Sequence, residues 1–572
     1  MFHRSTEKAL ALMAALLIIS TDSAAIGETS YRQANKLFAA TGEATVLNVY
    51  NWDDYIAPDE KDAAGTVTEK GLIAKFEDYC LEKGQNVKVN YSVFDTNETM
   101  LSELKTGKAQ YDLICPSDYV IQKMISEELI VPYGTDSTPN YDKYVSPYIK
   151  SKINTIEVGD KKVSDYARGY MWGTLGILYN DNYQGCSVPA KEMDADMTSW
   201  LSLWDSKYKN LLSIKDAMRD TYEVGIMKTY DQDFSLEGKH YDGFSTLKSK
   251  YDKGELTDVE YNEKVSVLFN LCDDVTIGKV GDDLKVLKDN AFGFEVDSGK
   301  TDMASGNKFA INVAWSGDAA YAMDQADEIN ESKKEGERKT ILKYSLPETG
   351  ANIWFDGWVI PKNVQHKELA EEFVDFLSTP SISAQNMNYI GYTSVIAGDD
   401  ILSLIQSWYD LRWDENLNDG EGGMDENLVN DYTLVNSKDI SSLTDEEKSA
   451  SYYQKDISYF FEGTLNDHNI SEAVFCLTAD TKDRQFDTQY PDSTKLPGLA
   501  VMADFGSQNA SVLIMWENVK NTALPLWSYI VIAIVVVLLI ALAVFNKIRR
   551  KAVLRKRRER KENRALKAKA TK

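Results

Sequence analysis

The first third of the chain alternates between two hydrophobic periods. Val46-Leu47-Asn48-Val49-Tyr50 is a short β-branched run that predicts a strand. From Gly71 to Cys80 the apolar residues recur near every third or fourth position and predict a helix. Val87 to Val93 alternates with period two, as a half-buried strand does. Met100 to Leu104 predicts a second helix ending near Gly107, and Tyr111 to Cys115 a third short strand stopped by Pro116. Strands alternating with helices at this spacing imply βαβ units, a largely parallel sheet and an α/β fold class. Ligands of such sheets sit beyond the carboxyl ends of the strands. Asn51-Trp52-Asp53-Asp54-Tyr55 and Ser117-Asp118-Tyr119 fall at two of those ends.

Two apolar stretches stand apart from this pattern. Leu526 to Phe545 carries no charged residue. At 1.5 Å per residue such a helix covers about 30 Å, the hydrocarbon thickness of a bilayer. Residues 526–545 are therefore expected to be a C-terminal transmembrane helix. The tail behind it, Lys547 to Lys572, has 14 Lys and Arg against two acids, a net +12. The whole chain is −26, so everything before Lys547 sums to −38. Basic flanks stay cytoplasmic. Residues 546–572 are thus a cytoplasmic tail, and the large acidic part faces outward. At the other end, His3, Arg4 and Lys8 precede an apolar run from Ala9 to Ile19 and the small residues Ser23-Ala24-Ala25. Residues 1–25 read as a secretory signal peptide. The expected location is the cell membrane, single-pass.

The five Cys are scattered, with no CxxC pair, and the four His lie far apart. A disulfide framework, a zinc site and a His-based nucleophile find no support, and no metal or cofactor is expected. The strong negative charge of the outer part disfavours nucleic acid. The chain has no GxxxxGK[ST] phosphate loop. Residues 226–290 and 401–455 read as surface insertions with capping boxes at Thr257–Glu260 and Thr444–Glu447.

The candidate chemistry is aromatic side chains beside carboxylates. It occurs at Tyr50 to Tyr55, Pro116 to Tyr119, Trp315 to Asp318 and Ile353 to Trp358, with Tyr392 adding an aromatic alone. An aromatic face attracts a cation by about 0.5–2 kcal/mol. A carboxylate about 4 Å from an ammonium adds about 4 kcal/mol of Coulomb attraction at an effective dielectric of 20, partly offset by desolvation. A ligand with ammonium groups separated by methylenes needs both elements.

From about Leu47 to Lys520 the sequence resembles the polyamine-binding (spermidine/putrescine) components of ABC importers. The resemblance rests on Val49 to Ile56, Asn97 to Met100, Tyr111 to Tyr119, Gly169 to Asn180, Ala314 to Asp318, Trp354 to Pro361 and Asn388 to Thr393. Asp456 to Phe461, Arg484 to Phe486 and Met502 to Gly506 extend it. It implies a two-lobed periplasmic-binding-protein fold (type II-like). Lobe 1 would be 45–168 plus 355–400, and lobe 2 would be 169–354 plus 401–520, with the ligand in the cleft between them. By the same resemblance Trp52, Tyr55, Ser117 and Tyr119 line the cleft, Trp315 and Trp354 stack on a methylene chain, Asp356 pairs with an ammonium and Tyr392 closes the wall. The family grips a terminal amine with an acidic pair three residues apart. A gapless match on Arg219 puts Asp220 at the second acid but Ala217 at the first, with Asp216 one place early. Asp118 and Asp297 are further candidates. Gly169 stands where many relatives have Pro, which implies a looser hinge.

The expected function is non-enzymatic: capture of putrescine or spermidine and delivery to an ABC permease and ATPase carried on other chains. One alternative is a membrane-anchored polyamine sensor, against which the short basic tail weighs. Another is an extracellular carboxylate-pair hydrolase acting on sugars.

Overall fold

The computed structural model describes residues 43–521, except 108–109, 297, 335, 421 and 480–483, together with Ile534, Val535, Val537, Leu538 and Leu542. By contact the chain forms two units, Met1–Trp516 and Glu517–Lys572, and the α/β architecture belongs to the first. In the second, the five described residues from Ile534 to Leu542 are helical and exposed. Among the described residues no helix is long and apolar enough to cross a membrane. The expected signal peptide, tail and most of 526–545 lie outside the described residues.

The chain opens with β1 (Thr45–Trp52), α1 (Leu72–Glu82), β2 (Val87–Phe94), α2 (Asn97–Thr106), β3 (Leu113–Ile114) and α3 (Asp118–Ser126). β1 pairs in parallel with β2 along its whole length, Thr45 opposite Val87 through Trp52 opposite Phe94, and with β3 on its other side. α1 buries Leu72, Phe76 and Cys80 at four-residue spacing, which puts them on one face against the sheet. α2 ends at Gly107, where φ of +63° suits a residue without Cβ. These elements fall where the periodicity predicts, with the third strand shorter than 111–115.

Then come β4 (Ala167–Asn180), β5 (Leu212–Lys215), α4 (Met218–Thr229), α5 (Asp258–Phe269), α6 (Asp274–Asn290), β6 (Gly293–Glu295), β7 (Ile311–Trp315), α7 (Ser316–Glu331), β8 (Ala351–Pro361), α8 (Lys367–Leu377) and α9 (Pro380–Ile390). The sheet order is β6-β5-β7-β4-β8-β3-β1-β2. It holds two parallel blocks, β6-β5-β7 and β3-β1-β2, joined by the antiparallel pair β4 and β8. Both joining strands are buried along their full length. The lobe limits expected at 168/169 and 354/355 fall inside them. The connection between blocks is thus a hydrogen-bonded ladder with one irregularity, between Asp356 and Gly357.

Two expectations change. A Cβ on Gly169 would lie 3.1 Å and 3.2 Å from the Val395 methyls and 3.3 Å from Ile153 Cδ1. Close packing of the Ile153 and Val395 side chains onto β4, rather than a need for looseness, explains glycine at this position. The segment 226–290 is not surface decoration either. Its α5 and α6 bury Tyr261, Val265, Leu268, Val280, Leu284 and Leu287. A Cβ on Gly225 of α4 would meet Val280 Cγ1 at 2.7 Å, so α6 packs directly on α4. Asn262 and Asn270 also donate to the carbonyls of Pro497, Leu499 and Val501. Both expected capping boxes are formed.

Candidate functional site

Trp354 and Asp356 are two apart on β8 and point to the same side of the sheet. Gly173 stands opposite Trp354 on β4, and a Cβ there would lie 2.6 Å from Trp354 Cζ2. Glycine at 173 is what admits the indole. Asp356 is 7% exposed and forms a backbone bridge with Ser117, the N-cap of α3. The Tyr55 hydroxyl donates to Asp356 Oδ2 at 2.8 Å. Burial pushes the Asp356 carboxyl up to about 6, against the hydrogen bonds of Ser117 and Tyr55. Its partners are hydroxyls. Among the described residues no ammonium or guanidinium pairs with it.

Tyr392 follows the left-handed Gly391 that ends α9. Its ring lies 5.7 Å from Tyr55 and 5.7 Å from Trp354, and it covers Gly317, where a Cβ would be 2.5 Å from the ring. The Tyr392 hydroxyl donates to Asp318 Oδ1 at 2.9 Å, linking α9 of one block to α7 of the other. Asp318 Oδ2 accepts from Lys215 Nζ at 3.1 Å. Lys215 is fully buried, 3.2 Å from Glu295 Oε1, and donates to the Val296 carbonyl at 2.8 Å. Its ammonium lies 4.3 Å from the centre of the Trp315 ring. Burial would raise the Asp318 pKa, but Lys215, Lys300 and the Tyr392 hydroxyl hold it below the usual carboxylate range. Burial would likewise lower that of Lys215, but Asp318 and Glu295 hold it raised.

Trp315 Nε1 donates to Asp220 Oδ1 at 3.1 Å. Burial pushes Asp220 up to about 6, against that bond and the charges of Lys215 and Arg219. Glu223, one turn further along α4, is buried with Oε2 unpartnered. Burial, reinforced by Asp220, holds it well above the usual range. The Arg219 guanidinium stacks 4.4 Å from the Tyr119 ring and pairs with Asp504 at 3.3 Å. The Tyr119 hydroxyl and Ser117 Oγ both accept from the Asn97 amide, at 3.0 Å and 3.1 Å. Asp118 accepts from the backbone of Tyr119 and of Phe355, and burial raises its carboxyl well above the usual range.

The structure therefore joins Tyr55, Ser117, Asp118, Tyr119, Asp220, Trp315, Trp354, Asp356 and Tyr392 through a continuous set of contacts across both blocks. Trp52 is half-buried at the end of β1, and its ring contact is Phe94 at 4.6 Å. Asp216 follows β5, half-buried, its amide donating to the Glu295 carbonyl at 2.6 Å. Asp297 lies outside the described residues. Sequence reasoning missed Asp318, Lys215, Glu223 and Asn97 as site residues. Asp318 ends the Trp315-Ser-Gly-Asp318 motif, so its signal was in plain view. Nothing local marks Lys215 or Glu223, which are buried only by the fold.

The family model for bacterial extracellular solute-binding protein matches residues 71–398. The putrescine-binding periplasmic protein of Pseudomonas aeruginosa is 28% identical over 350 residues, 61% of this chain and 77% of its own. The spermidine/putrescine-binding periplasmic protein of Escherichia coli is 26% identical over 367 residues, 64% of this chain and 82% of its own. A solved spermidine/putrescine ABC transporter substrate-binding protein of Streptococcus pneumoniae aligns with TM-score 0.46 and 20% identity, over 84% of this chain and all of its own.

Proposed function

This chain belongs to the bacterial extracellular solute-binding proteins, and on that premise we propose that it captures polyamines for an ABC permease. The observation that carries the proposal is Asp356. It is a buried carboxylate contacted by hydroxyls, with Trp354 and Tyr392 beside it. A buried carboxylate without a cation is costly, and a ligand ammonium would relieve that cost while the indole covers methylenes. Asp220 and Glu223 on α4 offer a second carboxylate position for the far amine. Relatives named for putrescine and spermidine binding support the same ligand class. The two blocks joined by β4 and β8 would be the lobes that close on the ligand, in the hinge manner of such folds.

Calorimetric titration of the full-length chain with putrescine and spermidine tests the reading. A Kd near micromolar, about −8 kcal/mol, is expected. No heat with either amine would sink the ligand assignment and leave the family standing.

The charge-free segment 526–545 and its +12 tail fit a tether that keeps the binding unit beside its permease and raises its effective concentration there. Cell fractionation tests this. The chain should stay with membranes through a high-salt wash, and recovery in the soluble fraction would refute the tether.

A further inference from the structure

An indole beside a carboxylate that takes an ammonium is the arrangement just assigned to the ligand at Trp354 and Asp356. The chain already makes that arrangement once with its own side chains. Lys215 Nζ lies 4.3 Å from the Trp315 ring centre and 3.1 Å from Asp318 Oδ2. The Lys215 ammonium is further held by Glu295 Oε1 at 3.2 Å and the Val296 carbonyl at 2.8 Å. Lys300 Nζ stands 3.6 Å from the other Asp318 oxygen, which also takes the Tyr392 hydroxyl. The two carboxylates Asp318 and Glu295 are thus matched by Lys215 and Lys300. One face of Trp315 is already covered by a fixed cation. On the Asp356 side the contacts are hydroxyls.

We propose that Lys215 is a specificity-determining residue: its ammonium fills the aromatic–carboxylate position at Trp315 and Asp318, so the cleft favours a diamine over a triamine or tetramine. The inference rests on the polyamine reading above. A third ammonium reaching this end meets a like charge that cannot move away, because Lys215 is clamped by three acceptors in a buried site. Each further amine then adds repulsion instead of attraction, and longer polyamines lose affinity.

The test titrates the full-length chain with putrescine and spermidine, then repeats the pair with Lys215→Met and with Lys215→Met combined with Asp318→Asn. The unaltered chain should bind putrescine at least about tenfold tighter than spermidine, the scale of one charge contact. Lys215→Met removes the fixed cation from the Trp315 face and from Asp318 Oδ2 and should move that ratio about tenfold toward spermidine, and the double variant should lose the gain. Spermidine binding as tightly as putrescine to the unaltered chain would overturn the inference, whether or not the Lys215 variants fold. So would a ratio that Lys215→Met leaves unmoved. Absence of binding by either amine is a different result, which removes the polyamine reading itself.

Discussion

The Tyr392 hydroxyl donates to Asp318 Oδ1 across 2.9 Å, and this bond ties the segment after α9 to the first turn of α7. The two residues lie in different blocks, so the bond forms only when the blocks are together. Removing it with Tyr392→Phe keeps the ring over Gly317 and deletes one charge-assisted hydrogen bond, worth about 1.5–3 kcal/mol. Ligand affinity should fall about tenfold or more with little change in fold stability, as read by titration and urea unfolding. Equal affinity in the variant would show that this bond does not hold the closed arrangement.

Asp356→Asn should separate binding from stability. Removing one partner of a buried charge pair costs about 2–5 kcal/mol, so ligand affinity should drop at least about 30-fold. Burial raises the folded carboxyl to about 6, from the ordinary 3.8 of the unfolded chain. Between those values the folded state binds more protons, so stability falls as pH rises through that window. At pH 7.5 the ionised group therefore costs up to about 3 kcal/mol of folding free energy, at 1.36 kcal/mol per pH unit. Asn removes that cost. Urea unfolding without ligand should show the variant more stable than the parent at pH 7.5 and level with it at pH 4. A variant less stable at pH 7.5 would contradict this account.

Amine binding should weaken in acid. Asp356 and Asp220 are both raised to about 6 by burial. A cationic ligand favours their ionised forms. From pH 7.5 down to 5 the ligand must compete with protons, and affinity should fall by up to about tenfold per pH unit for each group below its pKa. Titrations across that range check it, since the amines themselves stay charged. A flat profile would exclude both carboxylates from the contact.

Gly173→Ala should act through Trp354. The added Cβ would sit 2.6 Å from Trp354 Cζ2 and 2.5 Å from Ser316 Oγ, so the indole must shift. Overpacking of this kind costs about 1–3 kcal/mol. The thermal midpoint should drop and amine affinity should drop with it. Loss of stability with unchanged affinity would place Trp354 outside the binding surface.

Leu284→Ala tests the role of 226–290. Leu284 is 1% exposed on α6 and faces Gly225 of α4, the helix that carries Asp220. Truncation there should cost about 2–5 kcal/mol in urea unfolding. A cost under about 0.5 kcal/mol, typical of surface positions, would restore the view of this segment as decoration.

The sequence by itself determined what is local. The strand at Thr45–Trp52, the helix at Leu72–Glu82 and the caps at Thr257 and Thr444 follow from period and capping chemistry, which need only near neighbours. The aromatic–acid motifs, and through them the family, were legible for the same reason. Only the tertiary structure decided the partners. Lys215 and Asp318 are 103 positions apart, and Tyr392 and Asp318 are 74 apart. No periodicity links such pairs. They meet because β5 and β7 run side by side and end together, and because Thr393–Ser394, next to Tyr392, pairs with β4; burial there makes each unmatched charge expensive. The same burial turned Gly169 and Gly173 into packing requirements and made 226–290 part of the core. It also left Asp356 with hydroxyl partners while Lys215 took Asp318.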